Sequence, residues 1–263
     1  MAENVLEKIV QTKRLEIEKL KASTSLDELQ KNAANAPAPR DFYSAIANHR
    51  QMALIAEVKK ASPSQGIIRE DFDPIQIAKI YQQNGASCIS VLTDEIYFQG
   101  KLEYLQDVRQ SVQIPVLRKD FILDTWQVYE ARAAGADAVL LIAECLDQDT
   151  LPELRQLVES LGMTALVEFY EPENIEKVKA SGARLVGCNN RNLRSFETSL
   201  NHSIEMIQHF PADVPFVAES GIFTHDDVTR LQKHGIRGIL VGQSLMEQQE
   251  IGKAVRDLLG TAN

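Results

Sequence analysis

The sequence predicts an α/β chain, an eight-stranded parallel (β/α)8 barrel of the TIM-barrel class with an N-terminal helical extension. Three observations predict it. Beyond about residue 50, eight short apolar runs alternate with helical patterns, as a parallel sheet with crossover helices requires. The runs are 52–58, 88–92, 116–117, 138–142, 165–167, 185–188, 216–218 and 238–241. A glycine turn recurs roughly every 50 residues, at Gly85, Gly135, Gly182 and Gly235. Each ends a helix, as a left-handed C-terminal glycine does, and leads into the second, fourth, sixth or eighth run. A unit of two βα modules is therefore repeated four times. Finally, 263 residues suit one such barrel, which takes about 250. A doubly wound open sheet shares the alternation but rarely such regular spacing.

The elements follow in order. Over 5–21, Leu6, Ile9, Val10, Ile17 and Leu20 recur at helical spacing, with Lys13 the one polar interruption of the stripe. Ser25 opens a second helix through Leu26 and Leu29, with Glu28 at capping-box spacing. The segment Asn35-Ala36-Pro37-Ala38-Pro39 breaks it. Residues 1–50 are read as an extension packed on the barrel, because ~50 residues bury too little surface to be secure alone. Residues 51–263 form the barrel, one catalytic domain. Its helical patterns fall at 74–83, 102–110, 126–134, 151–161, 172–180, 203–209 and 226–233. The extension's apolar stripe needs a surface, and the open carboxyl face of the barrel offers one.

Composition narrows the function. A net charge of −9 argues against a nucleic-acid surface, which would be basic. No run reaches the ~18 apolar residues of a membrane span. Cys88, Cys145 and Cys188 are dispersed and odd in number, as expected of reduced, buried thiols in a cytoplasmic protein. The five histidines show no metal-ligand spacing.

The chemistry collects at the carboxyl ends of the runs, where barrels place their active sites. The first run delivers Glu57 and Lys59, two residues apart and so on one face of a strand, followed by the loop Ser62-Pro63-Ser64. The third ends in Arg118-Lys119-Asp120, the fifth in Glu168, and the sixth in Asn189-Asn190-Arg191. The seventh ends in Glu219-Ser220-Gly221 and the eighth in Gly242-Gln243-Ser244. Glu57 and Lys59 taken alone fit a structural ion pair equally well. Polar groups at nearly every strand end fit a catalytic face better. The last two ends predict a phosphate site at Ser220, Gly221, Gly242, Gln243 and Ser244, built from backbone N–H groups and a short helix start.

These residues carry a resemblance. The segments Glu57-Val58-Lys59-Lys60-Ala61-Ser62-Pro63-Ser64, Ser90-Val91-Leu92-Thr93-Asp94 and Tyr97-Phe98-Gln99-Gly100 resemble those of the indole-3-glycerol-phosphate synthase family. So do Leu117-Arg118-Lys119-Asp120-Phe121, Val167-Glu168 and Gly187-Cys188-Asn189-Asn190-Arg191-Asn192-Leu193. Ala218-Glu219-Ser220-Gly221-Ile222 and Val241-Gly242-Gln243-Ser244-Leu245-Met246 complete the set, in order across the barrel. The resemblance implies a monofunctional carboxy-lyase of tryptophan biosynthesis, without cofactor. Its implied substrate is a phosphorylated anilino-sugar, 1-(2-carboxyphenylamino)-1-deoxyribulose 5-phosphate. It further implies Lys119 as general acid for ring closure. Lys59 holds the substrate carboxylate and ketone oxygen and shares acid duties, with Glu57 orienting it. Glu168 is the implied base for dehydration. Asn189 and Arg191 hold the carboxylate. Ser62, Glu219 and Ser220 complete the polar wall, with Asn189 and Ser220 counted among the catalytic set. Phe98, Phe121, Leu140, Leu193 and Val241 form the aryl pocket, against plain barrel core as the competing reading of Leu140 and Val241. A monomer or weak homo-oligomer is expected.

Three other readings stay open on residues alone. A Schiff-base aldolase wants an isolated lysine in an apolar pocket, whereas Lys59 has Glu57 beside it. A sugar isomerase of the same pathway resembles this chain less, since its expected Cys at strand one and Asp at strand six are absent. A non-catalytic binding barrel would leave Lys59, Lys119 and Glu168 without purpose.

Overall fold

The computed structural model describes residues 5–192 and 197–261. Eight parallel strands close into a barrel: β1 (Ala53–Val58), β2 (Cys88–Leu92), β3 (Val116–Lys119), β4 (Ala138–Ile142), β5 (Thr164–Phe169), β6 (Val186–Asn189), β7 (Phe216–Glu219) and β8 (Gly238–Val241). Each strand pairs with the next, and β8 returns to β1 with Ala53 opposite Gly238. All eight expected strands are present. Several run further than the apolar signal, among them β3 to Lys119 and β5 through Glu168 to Phe169; Lys119 and Glu168 point into the barrel and pair there, while Phe169 packs outward in the core.

The two-residue period of a strand divides the core. Leu54, Ala56, Val58, Ile89 and Val91 face outward against the helices. Ala53, Ile55, Leu117, Leu140, Leu166, Val217 and Leu240 face inward and fill the barrel's lower layers. The same parity carries Glu57, Lys119, Glu168, Asn189 and Glu219 to the inner face one layer higher.

The outer helices are α4 (Pro74–Gln83), α5 (Glu95–Phe98), α6 (Leu102–Ser111), α7 (Thr125–Ala133), α8 (Thr150–Ser160), α9 (Ile175–Ala180), α10 (Leu200–Met206), α11 (His225–Lys233), α12 (Gln243–Met246) and α13 (Ile251–Leu259). The repeated glycines Gly85, Gly135, Gly182 and Gly235 all have positive φ, between 73° and 105°, as a left-handed helix end requires. The single helix expected over 172–180 is instead a 3-10 turn, Pro172–Asn174, leading into α9. Likewise the helix expected over 203–209 starts earlier as α10 and ends in a 3-10 turn, Ile207–His209. The three cysteines are free, but Cys145 is only half-buried, a correction to the expectation of three buried thiols. It lies in the turn that leaves β4, past the buried layer. Among the described residues no helix is long and apolar enough to cross a membrane.

Three helices precede β1, and each meets a different part of the barrel. The first, α1 (Val5–Ser23), brings Val5, Leu6 and Ile9 to the carboxyl face. The second, α2 (Leu26–Asn35), is capped by Ser25 and packs on α7 with Leu29 and Ala33 buried. The following link is tied down by Asp137, which accepts from the Arg40 N–H at 2.7 Å and pairs with Arg109 at 3.0 Å. The third, α3 (Phe42–Ala47), was not expected from the sequence. Its Phe42 and Ile46 are fully buried among Ala53, Ile55 and Leu117, so α3 plugs the amino-terminal end of the barrel. The extension therefore docks on both ends of the barrel, not on the carboxyl face alone.

Candidate active site

A cavity opens at the carboxyl ends of the strands. It is lined by every predicted site residue that the structure describes. Leu193 lies outside the described residues. At the base of the cavity, Lys59 pairs with Glu57 at 2.6 Å. Opposite them Lys119 meets two carboxylates, Glu168 at 3.2 Å and Glu219 at 3.5 Å. Asn189 donates to the second oxygen of Glu168 at 3.2 Å, and its own carbonyl oxygen accepts from the Arg191 N–H at 3.0 Å. Gly187, two residues before Asn189 on the same face of the strand, leaves the room that Glu219 fills. A Cβ there would stand 2.6 Å from Glu219 Oε1.

Burial alone would drive the charges of Lys119, Glu168 and Glu219 toward neutrality. For Lys119, burial is outweighed by its acidic neighbours, Glu168 first, and its ammonium is held well above its ordinary range. For Glu168, burial is outweighed by Lys119 and by hydrogen bonds including that from Asn189, so its carboxyl is pushed down. Glu219 goes the other way: burial and then the Glu168 charge raise it far above the carboxylate range. The two buried glutamates thus diverge, Glu168 toward the carboxylate and Glu219 toward the carboxylic acid, as carboxylates crowded together do.

One wall is apolar. Phe98 from α5 and Phe121 from the β3 loop lie with ring centroids 6.2 Å apart. Leu140 and Val241 stand below them, both buried. Leu140 belongs to the barrel core and lines the cavity as well, so the two readings of it are compatible. The side chains of Val5, Leu6 and Ile9 from α1 close over this wall. The amphipathic stripe signals Leu6 and Ile9, whereas Val5 lies outside it.

The opposite wall is made of backbone. Ser220 (φ 67°) and Gly221 (φ 73°) are both left-handed, and Asn190, itself buried, donates to the Ser220 carbonyl at 3.2 Å. Ser220 accepts this conformation without being glycine, and sequence reasoning did not foresee the Asn190 brace. Gly242 opens α12, and Ser244 Oγ ties α12 to the neighbouring loop by donating to Ile222 O at 2.9 Å. Gly242 has an ordinary negative φ. Its need for glycine comes from behind: a Cβ would overlap the Glu57 carboxylate and lie 3.0 Å from Glu57 Cβ. Arg191 spans the mouth, donating to Ser64 Oγ and to Gln243 Oε1, each at 3.1 Å. The sequence marks Ser64 only as part of the Ser62-Pro63-Ser64 loop, and its pairing with Arg191 crosses the barrel. Among the described residues no group of three His, Cys, Asp or Glu side chains is arranged to hold a metal ion.

The family model described as "Indole-3-glycerol phosphate synthase" matches residues 6–258. A protein of Rhodopirellula baltica called indole-3-glycerol phosphate synthase is 51% identical, over 98% of this chain and 99% of its own. A protein of the same description from Zymomonas mobilis subsp. pomaceae is 45% identical over 98% of both. Among solved structures, a 3-hexulose-6-phosphate synthase aligns with a TM-score of 0.65 at 17% identity, covering 81% of this chain and all of that one, a likeness of fold.

Proposed function

From the premise that the chain belongs to the indole-3-glycerol phosphate synthase family, and so is a carboxy-lyase with that activity, we propose how its residues divide the reaction. The substrate is 1-(2-carboxyphenylamino)-1-deoxyribulose 5-phosphate, and the product is indole-3-glycerol phosphate with loss of CO2 and water. Its aryl ring lies against Phe98, Phe121, Leu140 and Val241. Its phosphate sits on the N–H groups of Ser220, Gly221, Gly242 and Gln243, with Ser244 fixing the loop. Asn189, Arg191 and Ser62 complete the polar contacts.

The aryl carbon bearing the carboxylate attacks the ketone carbon. As that bond forms, the carbonyl π pair moves to oxygen, and Lys119 delivers a proton there. Loss of CO2 returns its bonding pair to the ring and restores aromaticity. Glu168 then takes a proton from the methylene beside nitrogen, while the former ketone oxygen leaves as water. Lys59, steadied by Glu57, donates to that leaving group and neutralises the substrate carboxylate before closure. The observation that carries this division is the position of Lys119: a half-buried ammonium on a rigid strand end, held between Glu168 and Glu219 and facing the cavity.

Lys119→Met tests it. The variant keeps most of the apolar stem and removes the donor. The expected fall in kcat is about 10²- to 10⁴-fold, the usual worth of general-acid catalysis, with a modest change in KM. Near-normal kcat in this variant, with closure abolished in Lys59→Met, would reverse the two lysines' roles.

We further propose that the extension and barrel act as one catalytic domain, in the cytoplasm, as a monomer or weak homo-oligomer. The supports are a cavity lined by extension and barrel residues of one chain, and three free thiols.

A further inference from the structure

Lys13 is the polar residue in the apolar stripe of α1, and it is 2% exposed. An ammonium is rarely buried unless paired. Its Nζ lies 3.0 Å from each of three carboxylates, Glu16 on its own helix, Asp94 after β2 and Asp120 after β3. Asp94 and Asp120 are themselves buried.

Each aspartate has a second task. The other oxygen of Asp94 caps α5, accepting from the N–H of Tyr97 at 2.7 Å and of Phe98 at 3.2 Å. Asp120 accepts from the Phe121 N–H at 2.8 Å, and through its other oxygen from Thr93 Oγ1 at 2.5 Å and Arg118 at 3.3 Å. So the backbones of Phe98 and Phe121 are both held by carboxylates that converge on one ammonium. Asp120 also directly follows Lys119. Alongside, Thr12 and Tyr97 share a hydrogen bond at 2.8 Å, which docks α1 on α5.

We infer that Lys13 is a positioning residue for the aryl pocket: by joining Asp94 to Asp120 it sets Phe98 against Phe121 and seats α1 over them. Lys13 does not line the cavity and touches no substrate. Its action passes through the two aspartates. Without it, two buried carboxylates face each other with the shared counter-charge gone. Glu16 adds no positive charge, and Arg118, which also serves Glu130 at 2.7 Å, pairs with Asp120 and not with Asp94. The strain falls first on the turns that hold Phe98 and Phe121, while the phosphate wall on the far strands is untouched. That asymmetry separates positioning from general loosening.

The inference rests on the aryl-pocket reading above, and the experiment keeps the two apart. Lys13→Met, Asp94→Asn, the double variant and Phe121→Ala are compared in the full chain. Circular dichroism confirms folding. Calorimetry gives affinities for indole-3-glycerol phosphate and for glycerol 3-phosphate, and steady-state rates give KM and kcat. Lys13→Met is expected to raise KM and the product Kd at least tenfold. The Kd for glycerol 3-phosphate should stay within about twofold, and kcat should fall less than KM rises. Asp94→Asn keeps an oxygen to cap α5 and loses only the charge, so it should move the same quantities less. The double variant should be no worse than Lys13→Met, because both act through one contact. An unchanged product Kd in Lys13→Met, or equal weakening of both ligands, overturns the inference. If Lys13→Met does not fold, Asp94→Asn decides, and an unchanged product Kd there overturns it too. If Phe121→Ala also leaves the product Kd unchanged, the aryl pocket itself is misplaced. If Phe121→Ala weakens product and Lys13→Met does not, only the role of Lys13 falls.

Discussion

Gly242→Ala should slow the chemistry as well as weaken phosphate binding. A glycine in a phosphate loop is ordinarily credited with letting the anion approach the backbone. Here the added methyl points the other way. It would stand 3.0 Å from Glu57 Cβ and overlap the Glu57 carboxylate. Carbon atoms pack at about 3.5–4.0 Å, so Glu57 must retreat by roughly half an ångström to an ångström. Glu57 is held at both ends: Tyr81 donates to its carbonyl at 3.2 Å, and its carboxylate grips Lys59 at 2.6 Å. The flexible end gives first, and the ion pair stretches. Displacing a catalytic group by about 1 Å costs up to roughly 10²-fold in rate. A fall in kcat of about 10- to 100-fold is therefore expected, beside a weaker glycerol 3-phosphate affinity. Indole fluorescence follows turnover, and calorimetry follows the phosphate. In Glu57→Ala/Gly242→Ala the carboxylate overlap is gone and the Cβ contact at 3.0 Å stays, so the second substitution should cost less on that background than on wild type. An unchanged kcat in Gly242→Ala with only the phosphate weakened would refute the reasoning.

Two further outcomes follow from the fold and its charges. Removing α1, up to about residue 23, should raise KM while circular dichroism still reports a folded barrel. Removal through α3 should abolish cooperative unfolding, because Phe42 and Ile46 seal the barrel floor. A cooperative barrel lacking α3 would contradict the packing. Asp120 is pushed down to about 2, from 3.8, by Lys13 and Arg118 acting against its burial. A depressed folded value stabilises the native state fully above the unfolded value and less as pH falls toward the folded one, here between about pH 4 and 2. The contribution is about 2 kcal/mol. The stability gap between wild type and Asp120→Asn, measured by urea unfolding, should shrink over that window, and a gap constant from pH 6 to 2 would sink the assignment.

What could be read from the sequence was whatever depends on local period. The alternation of runs, the four glycine turns and the shared face of Glu57 and Lys59 are all properties of a few adjacent residues. The rest needs closure. The α3 helix offers only Phe42 and Ile46 to a periodic search, too few to stand out, and its task appears only once there is a barrel floor to fill. Lys13 was visible as an interruption of an apolar stripe, but Asp94 and Asp120 come to it from two distant loops. Gly242 read as a phosphate glycine because Glu57, the neighbour that demands it, lies across the β8–β1 seam. Arg191 suggested a carboxylate clamp, and its reach to Ser64 and Gln243 joins three loops that only the closed barrel brings together.

Closure also decides the protonation of the site, and this gives the last prediction. With five ionisable side chains at the cavity base, full ionisation would place Glu57, Glu168 and Glu219 against Lys59 and Lys119, one negative charge in excess. An anionic substrate carboxylate would then meet a net negative cavity base, with Arg191 at the mouth to offset it. A proton on Glu219, favoured by burial and by the nearby charge of Glu168, removes that excess. Glutamine is close to isosteric with a protonated glutamate, so Glu219→Gln changes no charge in the resting site. It should leave kcat within about tenfold of wild type. Glu168→Gln removes a true carboxylate, the proposed base and a partner of Lys119 at 3.2 Å. It should cost about 10²- to 10⁴-fold, with single-turnover traces showing ring closure running ahead of indole formation. The two glutamates titrate as a pair, so the acid limb of the rate profile belongs to both. Glu219→Gln, having one carboxyl fewer, should simplify that limb to a single step. A loss in Glu219→Gln as deep as that in Glu168→Gln would mean that Glu219 is ionised, and the charge balance would have to be sought in Lys119.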